Sequence, residues 1–135
     1  MKAIRTAVEV HVATSFSGIT ITNEPKVLGE LPKDQFPHAI ILFAEQEPER
    51  LDFKQERRKV IGQVQVAVLT TPGDTAETTR EAVDLQMEAL RDAIFADPDL
   101  TATVDDVSCD AALTFSGQED AFVYGTLDIT TDEVF

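Results

Sequence analysis

Cysteine occurs once in these 135 residues and histidine twice, and no apolar run is long. A single thiol, Cys109, excludes an internal disulfide framework. The longest uninterrupted apolar run, AIILFA at 39–44, falls far short of the roughly 20 residues a membrane span needs. Near the start, Arg5, Glu9 and His11 interrupt the stretch that a signal peptide would keep apolar. These absences predict a soluble protein made in a reducing cytosol. At 43% apolar content the chain can still bury a core, and its length suits one domain.

The usual marks of chemistry are missing as well. His11 and His38 lie near no cysteine and no metal-like cluster, so structural roles are expected for both. Cys109 falls on the apolar side of an alternating segment, where a packed thiol is expected rather than a nucleophile. Ser15 and Ser17 flank Phe16 in SFSG, which is not the G-x-S-x-G of a nucleophile elbow. Neither a phosphate loop nor a dinucleotide fingerprint occurs. The acidic run DPDLTATVDD invites a calcium-loop reading from Asp97. Such a loop needs an oxygen ligand at 101, glycine at 102 and glutamate at 108, and the chain has Thr101, Ala102 and Ser108. No enzyme, metal or cofactor is expected.

Basic residues are scarce in one half only. Residues 1–70 hold nine basic and nine acidic side chains, whereas 71–135 hold Arg80 and Arg91 against sixteen acids. The second half therefore carries the whole net charge of −14. Such self-repulsion favours solubility and opposes a grip on nucleic acid.

What is present is strong patterning. Asp74 and Glu77 resemble a capping box, and Val83, Met87, Leu90 and Ile94 recur at helical spacing until Asp97-Pro98. The expected helix is 75–96. Residues 59–69 alternate through Val60, Val64, Val66 and Val68 as a strand. Residues 104–115 alternate through Val107, Cys109, Ala111, Leu113 and Phe115 and predict one continuous strand. A hairpin turn, SGQED, leads to a strand at 121–130, and 38–44 and 18–22 complete the set. Pro25, Pro32 and Pro37 make the intervening segment an irregular loop. At the N-terminus two periods compete. Ile4, Thr6, Val8, Val10, Val12, Thr14 and Phe16 alternate as a strand would, and Ile4, Val8, Val12 and Phe16 also repeat every four residues as a helix would. Periodicity alone slightly favours the strand.

In order, the elements are a short N-terminal element, a strand ending in ITITNEP, a proline-bounded loop and the apolar strand of FPHAIILFA. Then follow a charged excursion into RRKVIGQVQVAVLTTPGDT, a long amphipathic helix, a D-x-x-L turn and a closing hairpin. This order resembles the tail terminator, or tail completion, proteins of long-tailed bacteriophages. The resemblance spans nearly the whole chain and is carried by order and spacing rather than by signature residues. It implies an α+β domain, with about five strands in a mixed, largely antiparallel sheet. The long helix packs on one face, and a short helix replaces the strand at residues 3–16. It also implies a structural virion protein of the phage neck region, assembled in the host bacterial cytoplasm. Such subunits form a homo-oligomeric ring, usually a hexamer, that caps the tail tube protein and joins it to head-tail connector or neck proteins. DNA passes through such a ring without specific binding.

With a ring implied, the charges acquire possible uses. The excursion EQEPERLDFKQERRK, 45–59, becomes a candidate inter-subunit hairpin arm. Leu51 and Phe53 would form its apolar side, and Lys54, Arg57, Arg58 and Lys59 its basic end against a neighbour's acids. A solvated loop explains the same residues. Asp105, Asp106, Asp110, Glu119 and Asp120 could line a DNA passage or face a neighbour. Acidic strand edges that deter aggregation account for them equally well. Two other readings compete: a neck or head-completion connector, and, in a different class, an acidic DNA-mimic inhibitor. The basic cluster fits the inhibitor poorly.

Overall fold

Four-residue spacing wins at the N-terminus, where Lys2–Ser15 form helix α1. Ile4, Val8, Val12 and Phe16 are buried along one stripe, and Thr6, Val10 and Thr14 are exposed. A strand would have put both sets on one face of a sheet, whereas a helix separates them, and the apolar content of the first set decides for a helix packed on the core. The computed structural model describes residues 2–24, 30–45, 49–50, 55–70, 73, 75–97, 99–100, 104–110, 112–116 and 121–134.

Among the described residues, seven strands make one sheet: β1 (Thr20–Thr22), β2 (His38–Glu45), β3 (Glu49–Arg50), β4 (Glu56–Leu69), β5 (Asp106–Cys109), β6 (Leu113–Ser116) and β7 (Phe122–Val134). The order is β1-β2-β4-β7-β5, with β3 beside β4 and β6 beside β7. Of these strands β1 and β2 run parallel, and the other pairs are antiparallel. The fold is thus α+β with a mixed, largely antiparallel sheet. Helix α2, Ala76–Phe95, lies between β4 and β5 in the chain. Its N-cap is Thr75, whose Oγ1 accepts from the Thr78 N–H at 3.2 Å, one residue after the expected Asp74, which lies outside the described residues. The Thr75 backbone is extended and its hydroxyl sits at hydrogen-bonding distance, as an N-cap requires.

Both helices cover the same face of the sheet. The main core joins Val8 and Val12 of α1 and Val83, Met87, Leu90 and Ile94 of α2 to Ile41, Val64, Val66, Leu127 and Ile129. Each such side chain contributes about 1.5–3 kcal/mol by leaving water. Gly125 makes the helix–sheet approach possible, because a Cβ there would stand 2.6 Å from Met87 Cγ. After α2 the chain turns through Leu100, which has φ 45° and is fully buried. A left-handed leucine is strained by about 1–2 kcal/mol, a cost that burial of its side chain offsets. The D-x-x-L turn closes through the Leu100 N–H, which donates to the Asp97 carbonyl at 2.9 Å. His11 of α1 is bonded through Nε2 to Asp97 Oδ2 at 2.8 Å, tying the first helix to the end of the second.

The expected strand at 104–115 is broken in two. Cys109 faces Ile129 and Leu113 faces Thr126, so three residues on this side oppose two on β7. That single extra residue is a bulge, and it reverses the phase of everything after it. Val107 is buried towards the helices, but Leu113 and Phe115 emerge on the other face, 56% and 42% exposed. Arg91 of α2 stands over the break, Nε donating to the Asp110 carbonyl at 3.1 Å and Nη2 to the Cys109 carbonyl at 3.5 Å. Thr114, now on the helix side, donates to Asp84 Oδ1 at 2.9 Å.

Candidate functional site

With both helices on one side, the opposite face of the sheet is the broad surface left to solvent, and it divides into three zones. One end is covered by the chain that precedes β2. His38 is buried there; its Nδ1 donates to the Gln35 carbonyl at 3.3 Å, and its Nε2 accepts from Thr22 Oγ1 at 3.0 Å. Because a carbonyl only accepts, the proton belongs on Nδ1. The middle is polar. Gln63 Nε2 donates to Asp128 Oδ1 and Gln65 Nε2 to Gln63 Oε1, each at 3.0 Å. Beside β6 an aromatic row begins with Phe115 stacked on Tyr124 at 5.3 Å and continues through Phe122 to Phe36.

The charged zone lies at the far end of β4. β3 pairs antiparallel with β4, Glu49 against Arg57 and Arg50 against Glu56. Leu51, Phe53 and Lys54 lie outside the described residues. The other three cations sit in the sheet itself: Arg57, Arg58 and Lys59 oppose Val134, Glu133 and Asp132 of β7. Arg57 Nε is 3.5 Å from Asp132 Oδ1. Both side chains are more than a third exposed, so this ion pair contributes at most about 1 kcal/mol. Arg57 thus engages an acid of its own chain.

The candidate acids fall on the outer edge. Asp105, Asp106 and Asp110 are exposed along β5 and its flanks. The Asp105 N–H donates to the Asp132 carbonyl, and Asp106 faces Asp132 directly. Like charges opposed across a strand pair repel, and Arg57 lies beside that pair. Glu119 and Asp120 lie outside the described residues. The structure thus gathers Arg57, Lys59, Asp106 and Asp132 at one end, and separates Asp110 from them along the edge.

Sequence reasoning missed the seam between α2 and β6. Glu77, Glu81, Asp84, Glu88 and Asp92 follow one another at three- and four-residue steps along α2. Leu85, 68% exposed, stands beside them, out of phase with the buried stripe. That displaced leucine was the available signal. Two hollows of about 310 and 270 Å³ lie along the seam, and both include Ala112 in their walls.

Cys109 is half-buried between these elements, and burial pushes its thiol above the ordinary value, with Asp110 adding to the shift and Arg91 opposing it. Less thiolate is present at any given pH, so alkylation of the native protein is expected to be slower than that of the unfolded chain. The unfolded thiol also ionises first. Its contribution to stability is therefore intact below the ordinary value of 9.0 and is lost as pH rises past it. Thiol-labelling rates with and without denaturant, and urea midpoints on either side of pH 9, check both statements.

Among the described residues, no group of three or more His, Cys, Asp or Glu side chains is placed to hold a metal ion. The described walls of the seam hollows are charged residues, Ala112, Leu113 and Thr114. The chain matches no protein-family model and shows no significant similarity to any curated protein.

Proposed function

We propose that this protein is a structural subunit of the tail-terminator type. Copies assemble into a ring on the head-proximal end of a phage tail tube, end its polymerisation and present the surface that joins the head. The observation that carries this reading is the placement of unlike surfaces at opposite corners of one sheet. The basic start of β4, with β3 paired to it, forms one corner, and an exposed apolar strand beside an acidic helix occupies the other. A ring requires such a heterologous pair, since one patch of each subunit must meet a different patch on the next. The order of elements agrees with the resemblance drawn from the sequence, and the acidic second half suits a passage through which DNA slides.

The test is electron microscopy of the purified protein, alone and mixed with tail tubes. Rings seated on one tube end, with tube length no longer increasing, are the expected result. Rings that bind head connectors and ignore tubes would indicate a neck protein instead. A monomer that binds a DNA-handling enzyme and competes with duplex would indicate a DNA mimic.

A further inference from the structure

The α2–β6 seam is open on its outer side. Among the described residues β6 pairs with β7 alone, so its other edge has no strand beside it. Leu113 and Phe115 are exposed on the side of β6 turned away from the helices, and Glu81, Glu88 and Asp92 are exposed along α2 on the other side of that edge. An open edge accepts an extended segment through its backbone. The side chains set the rest of the requirement: apolar groups at alternate positions, flanked by cations.

The chain contains one such segment, RLDFK at 50–54. Leu51 and Phe53 share one side of the alternation, Arg50 and Lys54 flank them, and Asp52 falls between on the same side as the cations. The strands that flank this segment, β3 and β4, lie far from the seam of the same copy. Arg57 pairs with Val134 and Leu113 with Thr126, eight residues apart on β7, about 26 Å at the strand rise. β4 begins at Glu56, farther still from β6. We infer that the 50–54 segment of a second copy docks on the α2–β6 seam. This rests on the ring reading and assigns its two mating surfaces. Each copy gives at one corner and receives at the other, so the contact propagates head to tail.

Two variants test it. Leu51→Asp with Phe53→Asp disables the giving corner, and Leu113→Asp with Glu88→Lys, both exposed positions, disables the receiving one. Circular dichroism verifies that each is folded, and the single reversals Lys54→Glu and Glu81→Lys substitute for any variant that is not. Native mass spectrometry should find rings in the wild type and monomers in either variant alone. A mixture of the two should form a one-to-one pair of twice 14.8 kDa and nothing larger, because one intact pair of surfaces remains per two copies. Rings in both variants would overturn the docking and leave the ring reading standing, as would a mixture that stays monomeric. A wild type that never associates, with or without tail tubes, would overturn both.

Discussion

Leu90→Ala is expected to remove about 2–5 kcal/mol of stability, and Leu85→Ala, five residues earlier on the same helix, less than about 0.5 kcal/mol. Leu90 is fully buried between α2 and the sheet, whereas Leu85 is 68% exposed. Truncation at 90 loses the transfer free energy of the side chain and leaves a cavity whose walls relax only in part. A domain of this size holds about 5–15 kcal/mol in total, so the first change consumes a large share of it. At roughly 3–5 °C per kcal/mol, the melting temperature should fall by about 6–25 °C. Urea unfolding of both variants checks the contrast. Equal losses would mean that α2 packs by a different face.

Gly125→Val is expected to cost as much by the opposite route, overfilling. Gly125 lies on β7 beneath Met87, which is fully buried. The added Cβ would meet Met87 at Cγ, 2.6 Å away, and at Sδ, 3.0 Å away. Cγ is close to the backbone of a helix, so a simple swing of the side chain's end does not relieve the clash. Either α2 lifts from the sheet or β7 bends, at about 1–3 kcal/mol or more. The cause can be isolated with Met87→Ala. That change alone leaves a cavity and costs about 2–5 kcal/mol, but combined with Gly125→Val it makes room for the new methyl groups. The double variant should therefore be more stable than the sum of the single losses predicts, by about 0.5–3 kcal/mol. Strict additivity would show that Met87 is not what the glycine accommodates.

The contrast between these residues also explains how much the sequence revealed. Val83, Met87, Leu90 and Ile94 announced α2 and its buried side because a single period runs through them without a rival. α1 was harder, since Ile4, Val8, Val12 and Phe16 satisfy two periods at once. Only the packing partner distinguishes them, and a partner is a tertiary fact. Thr75 was overlooked as a cap because Asp74 offers an equivalent oxygen one residue earlier, and the choice depends on backbone angles that composition does not contain. The candidate surfaces were legible in part. Arg57, Arg58 and Lys59 stood out as a cluster, but their register against Asp132 and Glu133 depends on a strand more than seventy residues away. The exposed side of β6 was not legible. Its alternation from Val107 to Phe115 is unbroken in sequence, and the extra residue that breaks it shows only in the pairing with β7.

That extra residue has an evolutionary consequence. A point substitution at Leu113 or Phe115 changes one side chain, whereas loss of one residue between Asp110 and Ala112 would turn both residues towards the helices and bring Thr114 out. A single codon deletion could thus exchange an aromatic patch for a polar one while β7, α2 and the main core keep their places. Few positions in a sheet allow so large a change of exterior for so small a change of gene. Related chains that differ in length at this point should differ in what they bind before they differ in how they fold.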